Sequence, residues 1–318
     1  MMNRARLLAL TATALVGAPQ IVRAQTMLPG VLRIGGTPND DMTPVVYAKQ
    51  AGIFTKYGLN VELEKSSSGS AAAVAIAGGA YDIAKSSISS IFDAHLKGIG
   101  FTILTPAGIY DSKEPYGGFL IAQNSPIKTG KDCNGGTFGV ASLGSVGRVA
   151  LAKWIDQTGG DASTVKFVEI PFTAVTGAIQ QGRILAGETA HPAQAQAIAT
   201  GNFKLLPAYD AIAPYFIGAV YYTMRDFSLK HPEVIKAFVK GFYESAAYTN
   251  AHPEATAKMM ADFSNGSLET YLKMPRVKAG NAVVLSQIQP AIDAAAKYGT
   301  LERSFSAREL IDPNITAR

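Results

Sequence analysis

Cysteine occurs once in the 318 residues, at Cys133, so the chain can close no internal disulfide and build no cysteine-based zinc or iron centre. Its stability must come from packing. Charged residues make up only 17% and form no Lys/Arg run, which excludes the basic footprint of a nucleic-acid binder. After residue 24 no stretch approaches the roughly 18 consecutive apolar residues that a membrane span needs. What the chain does have is a 47% apolar share with 31 Gly and 16 Pro. That is the composition of a globular protein with many connections, long enough for two domains at roughly 150 residues each.

Residues 1–24 read as an export signal. Arg4 and Arg6 supply the basic start, Leu7 to Val16 the apolar middle, and Val22-Arg23-Ala24 the small residues before a cleavage point. Arg4-Ala5-Arg6 is not a twin-arginine pair, and no cysteine near Ala24 can accept a lipid. Cleavage removes Arg4, Arg6 and Arg23 and no acid, so the formal charge falls from +5 to +2. That small excess mildly favours an anionic small molecule. The expected location is the periplasm.

From Leu32 to about Ala208 short β runs alternate with helical stretches. Strands are expected at Leu32–Gly35, Asn60–Glu64, Asp82–Ala84, Phe101–Leu104 and Gly118–Ala122, then near Thr137–Ala141, Val165–Ile170, Ile184–Thr189 and Phe203–Leu206. Helices lie between most of them, and this alternation implies parallel sheets with crossover helices. Gly218–Met224 adds one strand. Beyond it the chain is helical, opening with Pro232 at a first helical position ahead of Val234, Ile235, Phe238, Val239 and Phe242 at helical spacing. From Arg303 on, the sequence reads as a loosely attached tail. The fold expected is a two-lobed α/β fold. Residues 25–114 and 215–318 make the first lobe and residues 115–214 the second, with crossings near Tyr110–Phe119 and Ala208–Gly218. Ligands of open parallel sheets sit beyond the carboxyl ends of the strands, so two such edges facing each other across a hinge form a cleft.

Several segments resemble a known family. Val45 to Phe54 followed by Tyr57-Gly58-Leu59-Asn60-Val61-Glu62 is similar to the "A-x-x-x-G-x-F-x-x-x-G-L-x-V-x" segment of ABC-importer substrate-binding proteins of the SsuA/THI5-like (NMT1-like) group. Ala77 to Ala84 resembles its "L-x-x-G-x-x-D-I-A" element, Gly139 to Ser145 its second-lobe strand and Gly-Ser turn, and His231-Pro232-Glu233-Val234 a helix start. Ala178 to Ile184 stands where the group has "A-L-x-x-G-x-V-D-A", with Leu185 and Ala186 replacing its Asp and Ala. The resemblance spans roughly residues 30 to 260. It implies a type II periplasmic-binding-protein fold without catalysis or cofactor, acting as a monomer that passes its solute to a membrane permease with a cytoplasmic ATPase. Solutes of the group include nitrate, taurine, alkanesulfonates and thiamine-pyrimidine precursors.

Candidate ligand contacts follow from the strand ends. Ser66-Ser67-Ser68-Gly69-Ser70 and Ser142-Leu143-Gly144-Ser145 each end a strand and open a helix, where free N–H groups and the helix dipole favour an anion. Each is also an ordinary N-cap composition. Together, Ser68, Ser70, Ser142 and Ser145 would clamp an anion from both lobes. Ser86 and Thr173 occupy comparable ends, and Lys85 points either at the site or at solvent. In the loop after the first strand, Thr37 and Asp40 are candidates. Of Asp40 and Asp41, one either faces the cleft or caps the Thr43-Pro44 helix start while the other is solvated. Glu188 and His191 end a second-lobe strand, and His191 stands where the group often has Glu. Tyr110, Tyr116, Tyr215 and Phe216 near the crossings are either ligand-stacking rings or hinge packing.

The expected ligand is a small organic anion, aromatic if the crossing rings stack on it. Two other classes compete with this reading. The pyrimidine synthase of the same fold group uses a histidine and a cysteine-rich iron motif that this chain lacks, and Glu188 with His191 is its only acid/base pairing in view. A transcriptional effector domain would carry a DNA-binding helix-turn-helix where this chain has its signal.

Overall fold

The short apolar β runs assemble into two five-stranded sheets. The computed structural model describes residues 30–318, so the signal read over residues 1–24 lies outside the described residues. In the first sheet the order is β2 (Val61–Lys65), β1 (Leu32–Gly36), β3 (Ile83–Ser87), β10 (Tyr215–Met224) and β4 (Phe101–Asp111). In the second it is β7 (Lys166–Glu169), β6 (Thr137–Val140), β8 (Ala186–Ala190), β5 (Gly117–Ala122) and β9 (Phe203–Leu206).

The sheets are mixed, which corrects the all-parallel expectation. β1 runs parallel to β2 and β3, and β6 to β7 and β8. β10 is antiparallel to β3 and β4, and β5 to β8 and β9. The reversed strands β5 and β10 are the two entered from the other sheet, with no crossover α-helix to return the chain to the same edge.

Helices cover both faces of each sheet, as continuously apolar strands require. On one face of the first sheet lie α1 (Thr43–Gln50), α2 (Ile53–Lys56) and, after α8 (Arg225–Lys230), the long α9 (Pro232–Ala251) with α10 (Ala257–Ser264) and α11 (Leu268–Lys273). Pro232 sits at the first turn of α9, and Val234, Ile235, Phe238 and Phe242 form its buried stripe against Phe54 and Tyr221. Each such side chain contributes about 1.5–3 kcal/mol. The opposite face carries α3 (Gly69–Ala77) and α4 (Ser89–Leu96). In the second sheet, α5 (Val146–Gln157) packs over Phe119, Ile121 and Phe138, while α6 (Val175–Gln180) and α7 (Ala193–Ala199) cover Leu120 and Phe203.

The final helix, α12 (Gln289–Lys297), lies against both α4 and α5. The segment after it is firmly docked, against the expectation of a loose tail. Phe305, Ala307 and Leu310 are buried, Ile311 bridges to Ile103, and Ala317 bridges to Val283. Phe305 packs edge-on against Phe92 of α4, so the tail extends the packing on the α3 and α4 face of the first sheet.

Candidate functional site

The carboxyl ends of β1 and β3 carry the first-lobe groups. Lys85, near the end of β3, is 2% exposed, and its Nζ donates to Asp41 Oδ1 at 2.7 Å and to Thr37 Oγ1 at 3.0 Å. It therefore faces inward rather than solvent. Asp40 is fully buried. Its Oδ1 accepts from Arg276 Nε at 2.8 Å and Thr43 Oγ1 at 3.1 Å, and its Oδ2 from the Val277 N–H at 2.7 Å. With its acceptors so committed, Asp40 is withdrawn from any ligand, and neither it nor Asp41 is solvated. The α1 start is left without a side-chain cap.

At α3, Ser68 is the N-cap, its Oγ accepting from the Ala71 N–H at 3.1 Å, and Ser70 is exposed on the first turn. Ser86 is buried and donates to the Ser87 carbonyl at 3.1 Å. Gly69 lets α3 approach it, since a Cβ there would stand 3.2 Å from Ser86 Cβ.

The second-lobe turn is arranged otherwise than its composition suggests. Ser145 caps α5, its Oγ accepting from the Arg148 N–H at 3.2 Å while donating to Glu188 Oε2 at 2.8 Å. The same carboxylate oxygen takes the Ala141 N–H at 2.8 Å, and Oε1 takes the Tyr209 hydroxyl at 2.7 Å. The Gly147 N–H is a further donor, and a Cβ at Gly147 would overlap the carboxylate. Burial raises the Glu188 pKa, and the surrounding donors, led by Ala141 and Tyr209, oppose that rise. The N-terminus of α5 thus already holds a carboxyl group, and it is the chain's own. Ser145 is consequently not free to clamp a ligand. Ser142 remains half-buried, with its carbonyl accepting from the Ser145 N–H at 2.9 Å.

Glu188 and His191 do not meet. Glu188 lies within β8 and His191 just beyond its end, neither is a hydrogen-bond partner of the other, and no acid/base pair forms between them. His191 is buried with both ring nitrogens unpartnered, as are Thr189 Oγ1 and Gln194 Oε1 nearby in sequence. Its pKa is lowered to about 4, first by burial and then by the charge of Arg276. The His191 backbone N–H is fixed by the Tyr116 carbonyl at 2.9 Å.

Thr173 follows the end of β7. It is exposed and lines an outer groove of about 340 Å³ with Phe172, Thr176, Gln196 and Thr200. The crossing aromatics resolve into hinge packing. Tyr110 lies 5.1 Å from Phe216, 5.4 Å from Tyr209 and 6.3 Å from Tyr116 between ring centroids, its hydroxyl donates to Asp210 at 2.6 Å, and Tyr215 is exposed. Cys133 is a buried free thiol whose pKa burial lifts to about 11.

Sequence reasoning missed Arg276 and Tyr209. Both lie outside periodic segments, and Arg276 reaches Asp40 across 236 residues. The one signal for Arg276 was an excess of acid in the Asp40-Asp41 loop that needed a cation from elsewhere.

Among the described residues, no cluster of His, Cys, Asp and Glu has the arrangement of a metal site, and no helix is long and apolar enough to cross a membrane.

Several solved structures share this architecture. The periplasmic aliphatic sulphonate binding protein SsuA from Escherichia coli superposes with a TM-score of 0.73 at 19% identity, covering 92% of this chain and 94% of its own. The ligand binding component of an ABC-type import system from Staphylococcus aureus gives 0.75 at 16% identity, covering 89% and 96%. The periplasmic nitrate-binding protein NrtA from Synechocystis PCC 6803 gives 0.74 at 12% identity, covering 89% and 86%. At these identities the likeness is one of fold. Among curated proteins none matches the chain. The NMT1/THI5-like family matches residues 39–256, more than half of the sequence, and the chain belongs to that family.

Proposed function

We propose that this protein is the exported solute-binding component of an ABC importer. In this reading residues 25–114 with 215–318 form one lobe and residues 115–214 the other. The lobes close on a small organic molecule in the periplasm and deliver it to a membrane permease with a cytoplasmic ATPase. The protein acts as a monomer and performs no reaction of its own. Ligand binding is a population shift, since a molecule touching both lobes stabilises the closed form.

The observation that carries this reading is the pair of strand-end clusters. Thr37, Ser68, Ser70 and Ser86 lie on the first lobe, and Ser142 and the unpartnered ring of His191 on the second, with Arg276 near enough to perturb that ring. Buried polar atoms without partners cost free energy unless a bound molecule satisfies them.

The test begins with protein from an extracytoplasmic fraction. Intact mass should show Gln25 as the first residue, and mass spectrometry of the denatured supernatant should identify the bound solute. That solute should raise the melting temperature with the logarithm of its concentration and leave the preparation chemically unchanged. A full-length cytoplasmic product, or a solute turned over by the wild type and not by His191→Ala, overturns the assignment.

A further inference from the structure

The charges along the cleft are unequal. Asp40, Asp41 and Glu188 are buried; of the cations, Arg276 is engaged with Asp40 and Lys85 with Asp41, while Arg148 on α5 donates to the Leu143 carbonyl at 3.0 Å and Glu169 takes the Leu143 N–H at 2.8 Å. The remaining carboxylate, Glu188, occupies the one second-lobe position that helix geometry makes attractive to an anion. It takes the Ala141 N–H, the Ser145 hydroxyl and the Tyr209 hydroxyl within 2.8 Å, and Gly147 leaves room for it in the first turn of α5.

A second anion arriving from a ligand would find these donors spent and a like charge beside it, which disfavours binding. The buried groups without partners on β8 and in the segment after it are uncharged: the Thr189 hydroxyl, the His191 ring nitrogens and the Gln194 amide oxygen. They ask for hydrogen-bond donors and acceptors rather than for charge.

Resting on the reading of this cleft as the solute site, we infer that Glu188 is a built-in anion that sets specificity. It fills the α5 N-terminus so that the second lobe accepts an uncharged, hydrogen-bonding end of the solute and rejects sulfonates, carboxylates and nitrate. The two Ser-Gly turns looked alike in sequence because the residue that fills one of them lies 43 positions further along the chain.

Two variants test this with small anions as probes. Glu188→Ala opens a space the size of a carboxylate against intact donors, and Glu188→Gln removes the charge at nearly constant shape, so one can report if the other fails to fold. Melting temperatures are followed against acetate, methanesulfonate and nitrate, with chloride at equal ionic strength as reference. The wild type should not respond. Glu188→Ala should rise with the logarithm of anion concentration, by roughly 5 °C at a hundredfold excess over Kd, and Glu188→Gln, whose amide oxygen still takes part of the donors, should rise by less. Variants no more responsive than the wild type overturn the inference, and so does methanesulfonate that protects the wild type as well as it protects Glu188→Gln. A co-purified solute that is a sulfonate, a carboxylate or nitrate overturns it too, while leaving the binding-protein reading intact. The anion scan needs no natural ligand, so it decides the role of Glu188 whether or not a solute co-purifies.

Discussion

Lys85 and Asp41 are 2% and 9% exposed as side chains and are joined at 2.7 Å, so each is an ion removed from water and held by the other. Loss of one partner leaves an uncompensated buried charge. Lys85→Met should therefore cost about 3–5 kcal/mol, whereas the double variant with Asp41→Asn should recover most of the loss. Urea unfolding of the two single variants and the double variant gives the coupling directly. His191 makes a pH prediction at the same scale. Its folded pKa, about 4, lies below the ordinary value of 6.5, so as pH falls the unfolded chain takes up the proton first. Stability is then full above about pH 6.5 and declines toward pH 4, by on the order of 3 kcal/mol for this residue alone. His191→Gln should flatten the decline between pH 6.5 and 4 in thermal melts recorded in matched buffers. An unchanged slope would mean that the ring is solvated and titrates normally.

Elements were legible wherever a period ran through them. Strand β9 falls on Phe203–Leu206 as its apolar run indicates, and α9 begins at Pro232 with its stripe inward. Strand direction was not legible, because alternation fixes it only where a crossover helix joins neighbours, and β5 and β10 enter their sheets without one. The C-terminal segment failed for a related reason. It has no period, and its order comes from distant partners: the Ile103 strand, the Val283 bridge, and Asn314 donating to Ser228 Oγ at 2.9 Å. Site residues divide the same way. Caps such as Ser68 and Ser145 could be read locally, whereas the carboxylate that spends Ser145 and the arginine that spends Asp40 are set by tertiary packing. If the tail is part of the core, Leu310→Ala should destabilise by about 2–5 kcal/mol. A truly loose tail would tolerate it within about 0.5 kcal/mol, and chemical denaturation distinguishes the two.

At the scale of the whole molecule, the lobes are joined by two strand crossings and by α12, which touches α4 and α5. The crossings are packed by Tyr110, Tyr116, Tyr209 and Phe216, and the Tyr116 hydroxyl rests against Gly108 and Gly218. Gly218 lies where the β10–β4 register shifts, between Ile217 and Ala219. A Cβ at that position would collide with the Tyr116 hydroxyl, so Gly218→Ala must push the ring aside at the point where both lobes meet. The variant keeps every strand-end group named as a ligand contact. Its effect on binding should therefore come through the closed population alone, because the apparent Kd rises in proportion as the competent fraction falls. Titration with the co-purified solute should show weaker affinity, and small-angle scattering of the unliganded variant should show a larger radius than the wild type. Unchanged affinity and radius, with the variant folded, would mean that the aromatic cluster is inert packing and that the lobes move about some other line.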